Sequence, residues 1–133
     1  MSQMAYCVRG VVNVSVLQAE ADLFRTLGHP FRLQLLEALR AEEACVCHLS
    51  AYFEKPQPYV SKHLAQLRDA GLVVDRREGQ RVYYRLSDLS LGTVLEDARI
   101  VARRLGASPA AETERLEPRY PLAGCECPRC AMA

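Results

Sequence analysis

Apolar residues recur every three or four positions from Leu17 onward. Leu17, Ala21, Phe24 and Leu27 predict a first helix over about Leu17–Thr26. Gly28-His29-Pro30 interrupts it, since glycine ends a helix and Pro30 suits the first turn of the next. Phe31, Leu35, Leu36 and Leu39 then form the core stripe of a second helix, Pro30–Arg40. After the Glu42-Glu43-Ala44-Cys45 turn, a short third helix turns Val46, Leu49 and Phe53 inward. Lys55-Pro56-Gln57-Pro58 is a helix-breaking link, and Pro58–Ala70 is a fourth helix closed by Gly71. At about 100° per residue, Val60, Leu64 and Leu67 share one narrow face directed at the core. The opposite side carries Pro58, Tyr59, Lys62 and Gln66, with Ser61 at its margin and His63 on the border between the faces.

The period then changes to two. Leu72–Arg76 and Arg81–Leu86 are short β-rich runs joined by Arg77-Glu78-Gly79-Gln80, in which Gly79 supplies the turn. Val82, Tyr84 and Leu86 share one face of the second run, and Arg81, Tyr83 and Arg85 the other. A last helix covers about Leu89–Leu105. Its stripe of Leu91, Val94, Leu95, Ala98, Val101, Ala102 and Leu105 is too broad for one small core and is expected to meet a partner helix in part. The expected fold is mainly α with a small β-hairpin, a winged helix-turn-helix. Three segments follow: an N-terminal arm, 1–16; a DNA-binding and dimerisation unit, 17–106; and a flexible tail, 107–133, rich in Pro, Ala, Glu and Arg.

Composition narrows the function. A chain of 133 residues builds one modest core with little room for a deep catalytic cleft. There is no glycine-rich phosphate loop, and His48 beside Cys47 lacks a third partner for nucleophilic catalysis, so no enzyme is expected. No apolar run is long enough for a membrane helix and the start is a poor signal peptide, so a cytoplasmic protein without membrane contact is expected. Net charge is only +1, but Lys55–Arg85 holds seven basic residues against three acidic ones. Concentrated basicity on a helix and hairpin fits a phosphate footprint. A major groove about 12 Å wide admits one helix, whose first turns reach base edges. The candidate DNA contacts are Gln57, Tyr59, Ser61, Lys62, His63 and Gln66 on or beside the fourth helix. Arg76, Arg77, Arg81 and Arg85 on the hairpin are candidates for phosphate or minor-groove contacts.

Six cysteines complete the inventory: Cys7 on the arm, Cys45 and Cys47 at the third helix, and Cys125, Cys127 and Cys130 in the tail. Spacings of two and three suit a shared metal centre or redox exchange in a reducing compartment better than a disulfide scaffold. Thiolates select soft ions. Side chains two apart diverge by about 200° on a helix, so Cys45 and Cys47 share an ion only where the helix entry is distorted or extended. The tail Cys-x-Cys-x-x-Cys offers three sulfurs by itself. A structural zinc site would need a fourth ligand, and no His lies in the tail to supply one.

Several segments resemble the ArsR/SmtB family of metal-responsive winged-helix repressors. They are Leu27-Gly28-His29-Pro30-Phe31-Arg32-Leu33, Cys45-Val46-Cys47-His48-Leu49, Val60-Ser61-Lys62-His63-Leu64, Gly71-Leu72-Val73 and Arg76-Arg77-Glu78-Gly79-Gln80-Arg81-Val82-Tyr83-Tyr84. The resemblance covers about residues 18–105. It implies a homodimer, dimerising through its first and last helices, on double-stranded operator DNA that blocks transcription until an inducer binds. Family arsenic and antimony sensors carry Cys-Val-Cys-Asp-Leu-Cys, and the matching positions here are Cys45, Cys47, His48 in place of Asp, and Ser50 in place of the third Cys. The third sulfur must come from elsewhere. Cys7 would supply it as in the family's cadmium and lead sensors, or one of Cys125, Cys127 and Cys130 would. Zinc sensors of the family place Asp and His ligands on the last helix, which here contains no His. The resemblance implies As(III) as inducer, with Sb(III), Cd(II) and Pb(II) as alternatives; the cysteine spacings leave a thiol redox switch controlling DNA binding as a further one.

Overall fold

The computed structural model describes residues 13–106 and 120–132. Helix α1 is Val14–Leu27, α2 is Pro30–Ala41, strand β1 is Ala44–Cys45, α3 is Val46–Phe53 and α4 is Gln57–Asp69. Strands β2, Val73–Glu78, and β3, Arg81–Leu86, form the hairpin, followed by α5, Ser90–Arg104, and a short α6, Pro128–Met132. The mainly α fold with a small β-hairpin is that of a winged helix-turn-helix. Among the described residues no helix is long and apolar enough to cross a membrane.

Local chemistry explains the boundaries. Asn13 caps α1, its side chain accepting from the Ser15 N–H at 2.9 Å, so the helix begins three residues before the apolar stripe does. His29 caps α2, its Nδ1 accepting from the Phe31 N–H at 3.1 Å ahead of Pro30. The α3–α4 turn closes at Glu54, which takes the left-handed conformation at φ 53°. Its N–H reaches Ala51, the Lys55 N–H reaches Ser50, and the Ser50 hydroxyl donates to the Lys55 carbonyl. Ser50 thus works as a turn residue at the position where the resembling sensors carry their third thiol.

One core joins the elements. Leu35, Leu36, Val60, Leu64 and Leu67 are wholly buried, with Phe31, Leu39, Leu49, Val73, Tyr84, Leu86, Leu91 and Leu95 packed around them. The expected inward face of α4 is the observed one, with His63 added to it. Helix α5 is tied back to α2 by charge: Glu37 accepts from Arg99 and from Arg40, and Arg40 also reaches Glu96 at 3.4 Å.

The sheet contains a strand that periodicity did not predict. β1 pairs antiparallel with β3, placing Ala44 opposite Tyr84 and Cys45 opposite Tyr83, and the order is β1-β3-β2. Two residues are too short to show alternation. β3 is buried on both faces. Tyr84 and Leu86 face the core, while Tyr83, on the side it shares with Arg81 and Arg85, packs with Cys45, Cys127 and Cys130. Residues 120–132, from the segment expected to be flexible, supply that cover.

Candidate functional site

Extended backbone at the entry of α3 brings two thiols together. Cys45 precedes the helix at φ −85°, ψ 160°, and Cys47 lies in its first turn, so the divergence of an ideal helix does not apply. Their Sγ atoms are 3.2 Å apart, and Cys125 Sγ lies 3.5 Å from that of Cys47. These three form one group of convergent sulfurs; His48, Cys125, Cys127 and Cys130 form a second, each group spanning at most 4.8 Å. The structure therefore places all three tail cysteines beside Cys45 and Cys47. Cys7 lies outside the described residues.

Burial and mutual contact set the protonation of the thiols. Burial, then the contact with Cys47, pushes Cys45 up to about 12. Burial also raises Cys125. Cys127 goes the other way: burial opposes its thiolate, but the Cys130 N–H and the thiols of Cys125, Cys130 and Cys45 stabilise it and hold it below the usual thiol range. Arg81 adds a fixed positive charge. It donates from Nη1 to Cys47 Sγ at 3.0 Å, and its Nη2 bonds the Glu126 carbonyl.

Arg129 pins the tail from the other side. It donates to the Glu43 carbonyl at 2.8 Å, pairs with Glu42 at 3.2 Å and contacts the Tyr120 hydroxyl at 3.3 Å. The Tyr120 ring stacks on His48 with centroids 4.3 Å apart. His48 is 1% exposed; its Nδ1 lies 3.4 Å from Cys130 Sγ and its Nε2 has no hydrogen-bond partner. The histidine beside the tail thiols thus comes from α3, not from the tail. The signal available was His48 directly following the Cys-x-Cys pair.

The candidate DNA contacts divide by exposure. Gln57, Tyr59, Lys62 and Gln66 lie on the open face of α4, and Ser61 is half-buried beside them. Gln66 accepts from Arg32 Nη2 at 2.6 Å, an orienting contact from α2 that the sequence did not reveal. His63 turns inward, 4% exposed, against His29, Phe31 and Tyr59. On the hairpin, Arg77 and Arg85 are exposed. Arg76 is held by Glu43 at 2.5 Å and Glu78 at 2.7 Å and lies over the Tyr83 ring. Arg81 is held at the thiols. A groove of about 420 Å³ runs between the two sets, lined by Cys45, Cys47, Gln57, Ser61, Arg81 and Glu126 among others.

A helix with a polar open face, set behind a tight turn and beside a basic hairpin, defines a winged helix-turn-helix protein. The family described as bacterial regulatory protein, arsR family, matches residues 29–74, which span α2, α3, α4 and the start of β2. The chain belongs to this family. It is 58% identical over 55 residues to the arsenic resistance transcriptional regulator ArsR1 of Pseudomonas putida, a match covering 41% of this chain and 42% of that protein. To the HTH-type transcriptional repressor SmtB of Mycobacterium tuberculosis it is 40% identical over 83 residues, 62% of each chain. The chain thus spans about half the length of the curated relatives it matches. Among solved structures, it is similar to the homodimeric winged helix-turn-helix DNA-binding domain of a possible ArsR-family regulator from Mycobacterium bovis. That likeness has a TM-score of 0.64 and 28% identity, covering 71% of this chain and 87% of the other.

Proposed function

We propose that the protein is a homodimeric repressor of transcription in the cytoplasm that releases operator DNA when trivalent arsenic or antimony binds Cys45, Cys47 and Cys125. The observation that carries this reading is the sulfur trio, two of whose members, Cys45 and Cys47, line the groove that Gln57, Ser61 and Arg81 also line. Three soft donors at 3.2 and 3.5 Å separations along the trio fit a thiophilic ion, and the name of the Pseudomonas putida relative supports arsenic. Trivalent arsenic supplies three bonds to sulfur when bound.

The chain's own residues do the rest. Gln57, Tyr59, Ser61, Lys62 and Gln66 present hydrogen-bonding groups to base edges in the major groove. Arg77 and Arg85 supply positive charge for the flanking phosphates. Cys45 joins β1 to α3, and α3 packs on α4, so rearranging its thiol displaces the helix that reads DNA. Cys47 holds Arg81 of the wing, so the same event reaches the hairpin. Coupling of this kind is typically about 1–3 kcal/mol and is reciprocal.

Fluorescence anisotropy tests the reading, using reduced protein on a labelled duplex from its own upstream region, titrated with arsenite, antimonite, Cd(II), Pb(II) and Zn(II). Arsenite should release the DNA, Cys45→Ser should abolish release, and Cys125→Ser should weaken it. Release by Cd(II) or Pb(II) alone would replace the inducer. Release by peroxide, reversed by dithiothreitol and insensitive to every ion, would replace it with a redox switch. Absence of specific binding would overturn the repressor assignment.

A further inference from the structure

Cys127, Cys130 and His48 take no part in the sulfur trio, yet all three are buried, at 2%, 7% and 1% exposure. We propose that His48, Cys125, Cys127 and Cys130 form a tetrahedral Zn(II) site, with the imidazole supplied by α3 and three thiolates by the tail, and that the ion clamps residues 120–132 across β3. The proposal goes beyond the inducer reading and does not depend on it.

The donor set comes first. Three cysteines and one histidine are a standard closed set for structural zinc, and the four side chains have ligand atoms within 4.8 Å of one another. With Zn–S near 2.3 Å and Zn–N near 2.0–2.1 Å, a tetrahedron has N···S edges of about 3.6 Å and S···S edges of about 3.8 Å. The His48 Nδ1 to Cys130 Sγ distance of 3.4 Å is close to the first of these. Small shifts of side chains already in place would therefore close the site.

His48 is the second observation. A buried imidazole ordinarily finds conventional hydrogen-bond partners for its nitrogens. Here Nε2 has none and Nδ1 faces only sulfur, while the ring is fixed by stacking on Tyr120. A ring orientated by packing, with its donor atom turned toward a nest of thiols, is what a ligand requires. The Leu122 N–H directed at Cys130 Sγ from 3.4 Å resembles the outer-shell support that metal-bound ligands commonly have.

The third observation is what holds the tail down. Among the described side chains of residues 120–132, Tyr120 and Leu122 are the apolar ones that join this packing, and cysteines with Tyr83 of β3 make up the rest of the cluster. So short a segment lacks enough apolar surface to dock unaided and needs a staple such as a metal. Arg129 supplies one tether and the Zn(II) site supplies the other. Cys125 belongs to both groups, so the same ion would hold in place the sulfur that the trio takes from the tail.

The test uses the full chain carrying Cys45→Ser and Cys47→Ser, which removes two of the three trio thiols and leaves the proposed set intact. Anaerobic titration of the reduced, metal-free protein with Co(II) should give the intense ligand-field bands of a tetrahedral ion, saturating at one equivalent and displaced by Zn(II). His48→Ala and Cys130→Ser should each lose those bands. Because either variant could fail to fold, X-ray absorption of the Zn(II)-loaded protein provides an independent readout and should show three sulfurs and one nitrogen. Weak octahedral Co(II) bands, or a zinc shell without nitrogen, would overturn the site. Failure of arsenite to release DNA from the unsubstituted protein would overturn the inducer reading alone and leave these spectra unaffected.

Discussion

His63 shows how neighbours decide what a side chain can do. It sits among the open-face residues in sequence, at the border of the α4 faces, but the rings of His29, Phe31 and Tyr59 surround it with centroids 4.5, 5.3 and 4.8 Å away. Arg32 Nε approaches its Nδ1 at 3.4 Å. Burial lowers its pKa, and the charges of His29, Arg32 and Lys62 lower it further. The unfolded chain then takes up the proton first, so the stability contributed by neutral His63 is full above about pH 6.5 and is lost as pH falls through the depressed folded value. The thermal midpoint should fall between about pH 7.5 and about pH 5.5, and His63→Gln should flatten that dependence. An equal fall in both proteins would remove His63 as its cause. The border position was legible in the sequence; the inward turn was not, because it depends on three rings from α2 and α4 that only the fold assembles. Ser50 is similar, since only the turn geometry shows its hydroxyl already engaged.

Within elements, the sequence was most informative where periodicity is local. The stripes of α2 and α4 and the alternation in β3 follow from 3.6 and 2.0 residue repeats, and the buried residues fall on them. β1 was invisible because its pairing with β3 joins residues about forty positions apart. That pairing matters for the wing: Glu43, just before β1, captures Arg76, so four hairpin arginines of equal standing in sequence become unequal in structure. Arg77 is exposed, and among the described residues its side chain has no ion-pair or hydrogen-bond partner. If α4 and the wing bind DNA as proposed, Arg77→Ala should reduce the slope of log K against log salt by about 0.9, the share of one phosphate contact. Arg76→Ala should leave that slope nearly unchanged. Anisotropy at four salt concentrations measures both, and equal losses would show that Glu43 and Glu78 release Arg76 on binding.

At the scale of the whole molecule, two surfaces exceed what the core needs. One is β3's outer face, covered by the tail. That cover was not legible because Pro, Glu and Arg around the cysteines read as solvated chain, and because α3 and the tail meet across nearly eighty residues of sequence. The other is the broad stripe on α5, expected from its sequence to meet a partner helix in part. Phe24 of α1 is 51% exposed, Val101 of α5 52% and Leu105 83%, and together with Val94, Ala98, Ala102 and one acidic residue, the exposed Asp97, they line one largely apolar groove. If the protein is the homodimer proposed above, a second copy of this chain occupies that groove. Burying an unpaired carboxylate in that groove costs several kcal/mol. Val101→Asp should therefore raise the dimer dissociation constant by at least about a hundredfold, at about 1.4 kcal/mol per factor of ten. Because Val101 lies outside the monomer core, circular dichroism should stay unchanged while sedimentation reports a monomer. Operator affinity should fall as dimerisation is lost, since two winged units on one duplex bind as a linked pair. A variant that stays dimeric would move the interface off the α1–α5 face. A monomer that still binds DNA as tightly would leave the interface in place and remove dimerisation from recognition.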